Sequence, residues 1–171
     1  NRSVYFSFIV KVEAATEDGD YFFHAGPAQL GTNFCPRVWA KKRNDKLAFG
    51  LSKSNNQSVF SEQNFSFGTT YQIILKYEFK NGSKDDDLAS LTIIDKPSKQ
   101  EPVAQIELGG GEPDLAEIGS VALRQGSLNK AADLLIDELR IGFNWLEVTD
   151  LRPAYFLELK TPEKFYAYQG G

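Results

Sequence analysis

The sequence predicts an all-β fold, an antiparallel two-sheet sandwich of the jelly-roll kind, on three observations. Runs of alternating apolar residues recur at intervals of roughly ten residues, bounded by Gly, Pro, Asn and Asp turn chemistry. Aromatic residues make up 13% of the chain, with 13 Phe and 7 Tyr, a load that favours pleated strands and argues against disorder. Helical periodicity is confined to single turns at residues 114–118 and 144–148. With 171 residues the chain has one domain's length and enough material for a sizeable core.

The elements follow in order. Residues 4–12 (V-Y-F-S-F-I-V-K-V) put Val4, Phe6, Phe8, Val10 and Val12 on one face. A turn at 17–20 leads to a short strand at 21–24, stopped by Gly26-Pro27. Residues 37–41 and 46–52 form a hairpin about the tight turn Asn44-Asp45. Val59 and Phe60 make a short strand after a polar loop. The longest alternator, 70–79, sets Tyr71, Ile73, Leu75, Tyr77 and Phe79 against Gln72, Lys76 and Glu78, and pairs with 88–94 across a charged turn. A weak strand at 103–108 and a strand at 118–124 precede the closing strand at 134–141. Pro153 marks a boundary, so residues 1–149 form the domain. Residues 150–171 are a C-terminal extension or the start of a following domain.

Composition excludes several classes. Net charge is -4 and the pI about 5.1, a poor match for nucleic acid. No apolar run reaches membrane-spanning length. The chain opens inside a strand with no signal peptide, as a mature or excised piece of a longer protein does. The single cysteine, Cys35, forms no internal disulfide. His24 is the single histidine, and the two lack the third, orienting group that a nucleophilic pair uses, so Cys35 reads as buried and His24 as packed at a strand end. Sequons at Asn1, Asn56, Asn64 and Asn81 are glycan acceptors only if the source is eukaryotic.

The closing segment D-L-L-I-D-E-L-R-I-G, residues 133–142, contains one acid out of step. Alternation groups Asp137 with Leu135, Leu139 and Ile141, and a carboxylate among aliphatics needs a partner. That partner is a cation, a set of backbone N–H groups, or water at a strand end.

Taken in order, D-Y-F-F-H (20–24), R-V-W-A (37–40), L-A-F-G-L-S-K (47–53), T-T-Y-Q-I-I-L-K-Y (69–77), I-G-S-V-A-L-R-Q-G (118–126) and I-D-E-L-R-I-G (136–142) resemble the concanavalin A-like lectin/glucanase superfamily. The form is laminin G-like, similar to domains of secreted or surface proteins of Bacteroidetes-type bacteria. The resemblance covers about residues 4–149. It implies one concave sheet that receives ligands, and a structural Ca2+ at Asp137 on the other side, as in laminarinase-like relatives. Against the metal stands a carboxylate that caps a bulge or accepts backbone N–H groups.

Retaining glycosidases of this fold need two carboxylates about 5–5.5 Å apart on one strand face. The laminarinase-like motif E-x-D-x-x-E is missing, and no triad or metal cluster replaces it. The chain therefore reads as no enzyme but a non-catalytic, extracellular or cell-surface module that binds a glycan or surface polymer. The alternative is a structural or assembly domain of a surface protein. Candidate ligand-binding residues are Arg37, Trp39 and Lys41, alternating on one strand face, with Arg124, Glu138 and Arg140 on the corresponding face of others. Trp39 suits stacking on a sugar ring, and Trp145 reads as packing. The tail carries an aromatic assembly segment, Tyr155, Phe156, Leu157, Phe165, Tyr166 and Tyr168, suited to pairing with a neighbouring domain or another copy.

Overall fold

The computed structural model describes residues 2–29, 31, 34–54 and 57–150. Along them run β1 (Arg2–Ala14), β2 (Asp20–Gly26), β3 (Arg37–Arg43), β4 (Lys46–Ser52), β5 (Val59–Phe60), β6 (Thr70–Phe79), β7 (Leu88–Ile94), β8 (Ile106–Leu108), β9 (Ser120–Leu123), β10 (Asp133–Gly142) and the short helix α1 (Trp145–Thr149). They build two five-stranded antiparallel sheets, ordered β10-β1-β6-β7-β8 and β5-β4-β3-β2-β9. This is the β-sandwich jelly roll that the alternation predicts. The β3–β4 hairpin turns at Asn44 and Asp45, both with positive φ (51° and 58°), the mirror-image turn that matches strand twist.

Period-two alternation supplies the core. Phe6, Phe8, Val10 and Val12 of β1 and Tyr71, Ile73, Leu75 and Tyr77 of β6 meet Phe22, Phe23, Val38, Phe49 and Leu51 of the second sheet. The rings interlock: Phe8 and Phe23 centroids lie 4.8 Å apart, and Phe49 and Phe65 lie 5.2 Å apart. Such tilted contacts add to the burial of apolar area.

Part of the outer face of the first sheet is covered by the chain itself. α1 begins at the N-cap Asn144, whose side chain accepts from Glu147 N at 3.1 Å. It lays Trp145 and Val148 on Tyr5 and Ile74. Trp145 Nε1 donates to Ser98 O at 2.8 Å, so the residue packs as expected. Beneath this cover Gln72 Nε2 donates to the buried Ser7 Oγ at 2.9 Å. Residues 114–118, expected as a helical turn, are instead a loop whose Asp114 carboxylate serves as an acceptor hub.

That hub holds a buried cation. The Lys53 side chain is 0% exposed, and its Nζ lies 2.8 Å from Asp114 Oδ1 and donates to Glu112 O at 3.1 Å. Asp86 N and Asp87 N donate to the same Asp114 carboxylate. Burial alone raises the Asp114 pKa, but the Lys53 contact and the two amides outweigh it and hold the carboxyl below its ordinary range.

Asp114→Ala strands the Lys53 ammonium in the interior and is expected to destabilise the fold by about 3–5 kcal/mol. The double substitution Lys53→Met, Asp114→Leu recovers most of that loss. Urea unfolding of the three proteins measures both numbers; equal stability of the two variants contradicts the assignment.

Candidate functional site

On the outer face of the second sheet, side chains sit in register across the strands. One row runs Tyr21 (β2), Trp39 (β3), Gly50 (β4) and Phe60 (β5). The next runs Ala122 (β9), His24 (β2), Arg37 (β3) and Ser52 (β4). Four strands span about 14 Å, room for a short oligosaccharide. Gly50 is required where it stands, because a Cβ there would press into the Phe60 ring at 2.7 Å. Without a side chain at that point the Phe60 ring packs directly over the β4 backbone.

β2 reaches this face through a register shift between Tyr21 and Phe23. Strict alternation would send Phe22 and His24 to one side and Tyr21 and Phe23 to the other. The bulge instead buries both Phe22 and Phe23 in the core and turns Tyr21 and His24 outward together. Their ring centroids lie 6.0 Å apart, and Tyr21 lies 5.2 Å from Trp39.

Cations converge on Tyr21 from both neighbouring strands. The guanidinium carbon of Arg37 on β3 lies 4.7 Å from the Tyr21 ring centroid, and that of Arg124, just past β9, lies 4.1 Å away. Arg124 is held by Asp20, with NH1 to Oδ1 at 2.9 Å. The same oxygen accepts from Tyr21 N at 2.8 Å. The backbone at Gly126 closes over this pair so tightly that a Cβ there would press on the Asp20 carboxylate and Arg124 and displace them. Lys41 stands on the same face of β3, its Nζ 4.0 Å from the Phe60 ring centroid. Trp39 Nε1 donates to Ser52 Oγ at 3.0 Å. The result is an aromatic floor under a concentration of positive charge, on a chain whose net charge is negative.

His24 is the group at this site with the chemistry to accept a proton near neutral pH. Its pKa is lowered from 6.5, chiefly by burial; the bond to Ala25 O opposes this, and the charges of Arg37 and Arg124 add to the lowering. The ring is therefore neutral at pH 7. Its Nδ1 lies 3.2 Å from Ala25 O; a carbonyl only accepts, so Nδ1 carries the proton and Nε2 keeps the lone pair. Phe34 stacks on the other side, 4.8 Å between centroids.

Of the expected ligand-binding residues, Arg37, Trp39, Lys41 and Arg124 come together here. Glu138 and Arg140 do not. They lie on β10, in the other sheet, where they form an ion pair at 3.0 Å. Asp137 also departs from its expected setting. A bulge with Glu138 at φ 56° sets Asp137 opposite Ile9 on the outer side and Ile141 opposite Phe6 on the core side, so Asp137 is exposed and keeps only Leu135, itself 65% exposed, as an aliphatic neighbour on its face. Its Oδ1 accepts from Glu138 N at 2.7 Å, the bulge-capping alternative. Among the described residues, the acids close enough to share an ion are Asp86, Asp87 and Asp114, where Lys53 already supplies a cation. Tyr155, Phe156, Leu157, Phe165, Tyr166 and Tyr168 lie outside the described residues. Tyr21 and His24, absent from the expected set, are central to the site; the paired Phe in D-Y-F-F-H is the sequence signal of the bulge that turns them to the outer side of the sheet, where neighbouring side chains leave them only 9% and 4% exposed.

No protein-family model and no curated protein matches the chain. Solved structures do match in fold. An endo-β-1,4-glucuronan lyase from the fungus Trichoderma reesei superposes with a TM-score of 0.51 at 10% identity, over 86% of this chain and 71% of that one. A mutant of the alginate lyase Aly36B, in complex with an alginate tetrasaccharide, superposes with a TM-score of 0.51 at 13% identity, over 82% and 69%. The fold is of the concanavalin A-like type.

These neighbours correct the expectation of a non-catalytic module, with a structural unit as its alternative. That expectation rested on missing paired carboxylates, which glycoside hydrolysis needs. The same architecture houses lyases, whose chemistry has no such requirement, so the missing pair does not argue against catalysis.

Because folded His24 resists protonation, the unfolded chain binds the extra proton first as pH falls below 6.5. Stability is expected to decrease on acidification through that window, and His24→Gln to remove this part of the slope. Urea midpoints between pH 7 and 5 measure it; identical slopes in both proteins refute the buried neutral imidazole.

Proposed function

We propose that this domain is a carbohydrate-active enzyme that takes an anionic, uronate-containing polysaccharide across the outer face of the second sheet and cleaves it by β-elimination. The observation that carries this reading is the convergence of Arg37 and Arg124 on Tyr21 beside a neutral His24.

The chemistry follows from what elimination demands. A uronate C5–H is weakly acidic because the adjacent carboxylate resists further negative charge. Guanidinium groups on that carboxylate offset the charge that develops as the proton leaves. A neutral imidazole takes the C5 proton, the C4–C5 double bond forms, and the C4–O4 bond breaks as the leaving oxygen gains a proton. His24 Nε2 suits the base, and the Tyr21 hydroxyl is the neighbouring proton donor. Trp39 and Phe60 give sugar rings a stacking surface, with Lys41 at its side. The glucuronan and alginate lyases of like fold act on polymers of this charge, which supports the substrate class. A secreted or cell-surface location accords with a polymeric substrate.

The test is ultraviolet detection of the unsaturated uronate end released from alginate, polyglucuronate and a neutral glucan. Product is expected from the uronate polymers alone. His24→Gln and Tyr21→Phe lower the rate by about 10²–10⁴-fold, and Arg124→Ala weakens binding as well. The reading fails if no uronate polymer yields unsaturated product, or if His24→Gln cleaves at the parent rate.

A further inference from the structure

Inner-face residues of a sandwich are its best-buried ones, and the second half of β10 breaks that rule. Its register sets Ile141 opposite Phe6 and Gly142 opposite Tyr5. Leu139, Ile141 and Phe143 therefore fall on the core side, level with Phe6 and Val4. Phe6 is 1% exposed, whereas Leu139, Ile141 and Phe143 are 43%, 54% and 69% exposed. β10 is the outermost strand of its sheet, with β1 as its one neighbour among the described residues. The stripe continues into a cleft of about 470 Å³ whose lining includes Val4, Phe79, Ile118 and Phe143. A long uncovered edge with apolar side chains on its core side is a surface that natural sheets protect.

We propose that this seam is the docking site of the chain's own C-terminal segment, residues 154–168. The point of departure favours it: Asp150, the last described residue, has its carbonyl oxygen held by the Arg140 guanidinium of β10. Reach favours it too. The five positions from Leu139 to Phe143 extend about 17 Å, while residues 151–171 can extend to about 70 Å. The sequence of the segment fits the surface. In A-Y-F-L-E-L-K, Tyr155, Leu157 and Leu159 alternate with Phe156, Glu158 and Lys160, giving one fully apolar side for Leu139, Ile141 and Phe143 and a more polar side for water. A second copy of the chain would meet the same stripe only at the concentration of another molecule, whereas the tail is tethered beside it.

Hydrogen exchange on the full chain tests the proposal. Amides of residues 139–143 are expected to be protected, and to exchange about tenfold or more faster in Leu157→Asp, Leu159→Asp while β6 amides are unchanged. Should that variant fold poorly, a nitroxide on Leu157→Cys in a Cys35→Ala background gives an independent reading: it broadens the Ile141 and Phe143 signals of its own chain. Unchanged exchange in a folded variant, or no broadening, overturns the proposal. Broadening seen only between spin-labelled and isotope-labelled chains assigns the seam to a second copy and overturns it as well.

Discussion

The bulge in β2 is the constraint on which the site depends. Two adjacent phenylalanines, Phe22 and Phe23, both belong to the core, and a regular strand cannot place neighbours on one side. Burying a Phe contributes about 1.5–3 kcal/mol, more than the local loss of one ladder position. The extra residue therefore shifts the register between Tyr21 and Phe23. The shift brings Tyr21 and His24 onto one outer face, opposite Trp39 and Arg37. A packing demand inside the sandwich thus assembles a phenol, an imidazole and two guanidinium groups outside it.

The two outer faces have opposite fates for equally physical reasons. On the first sheet, Tyr5 and Ile74 are apolar enough to need a cover, and Trp145 and Val148 of α1 supply it. On the second, the row Tyr21, Trp39 and Phe60 is edged by Arg37, Lys41 and Arg124, whose charges keep a covering segment of this acidic chain from being purely apolar. Aromatic faces attract the cations, and burial together with those cations keeps His24 neutral. Each feature sustains the other. Removing the guanidinium groups would ease protonation of the imidazole; removing the tyrosine ring would leave two like charges without the quadrupole they share.

Most of the sandwich was legible because alternation is a local signal. Residues 46–52, 70–79 and 88–94 stand in the structure with the bounds that their patterns predict, and Asn44-Asp45 marks its hairpin by turn chemistry alone. Residues 103–108 were harder: only Ile106–Leu108 pairs, since polar flanks leave little to bury. Arg37, Trp39 and Lys41 were legible as one face of a strand, but which strands stand beside it is a long-range fact. Arg124 joins them across β2, whereas Glu138 and Arg140 close the opposite sheet. Bulges are the other blind spot. Each reverses the facing of the residues beyond it, so Asp137 lost its supposed aliphatic enclosure and His24 acquired an outward position that strict alternation denies it.

Asp20 shows why a search for paired carboxylates misread this face. It is nine-tenths buried and is the acid in contact with the Tyr21 site, yet it works through Arg124 rather than on a reacting atom. By accepting from both Arg124 NH1 and Tyr21 N it fixes the guanidinium against the ring, and Gly126 leaves the backbone room to enclose the pair. The carboxylate offsets part of the charge of Arg124 but none of its geometry. A second acid on this face would offset the Arg37 and Arg124 charges that, with burial, keep the imidazole neutral, and that on the proposed function draw an anionic polymer. On the proposed elimination chemistry, this surface therefore has physical reason to lack the carboxylate pair by which glycoside hydrolysis is recognised.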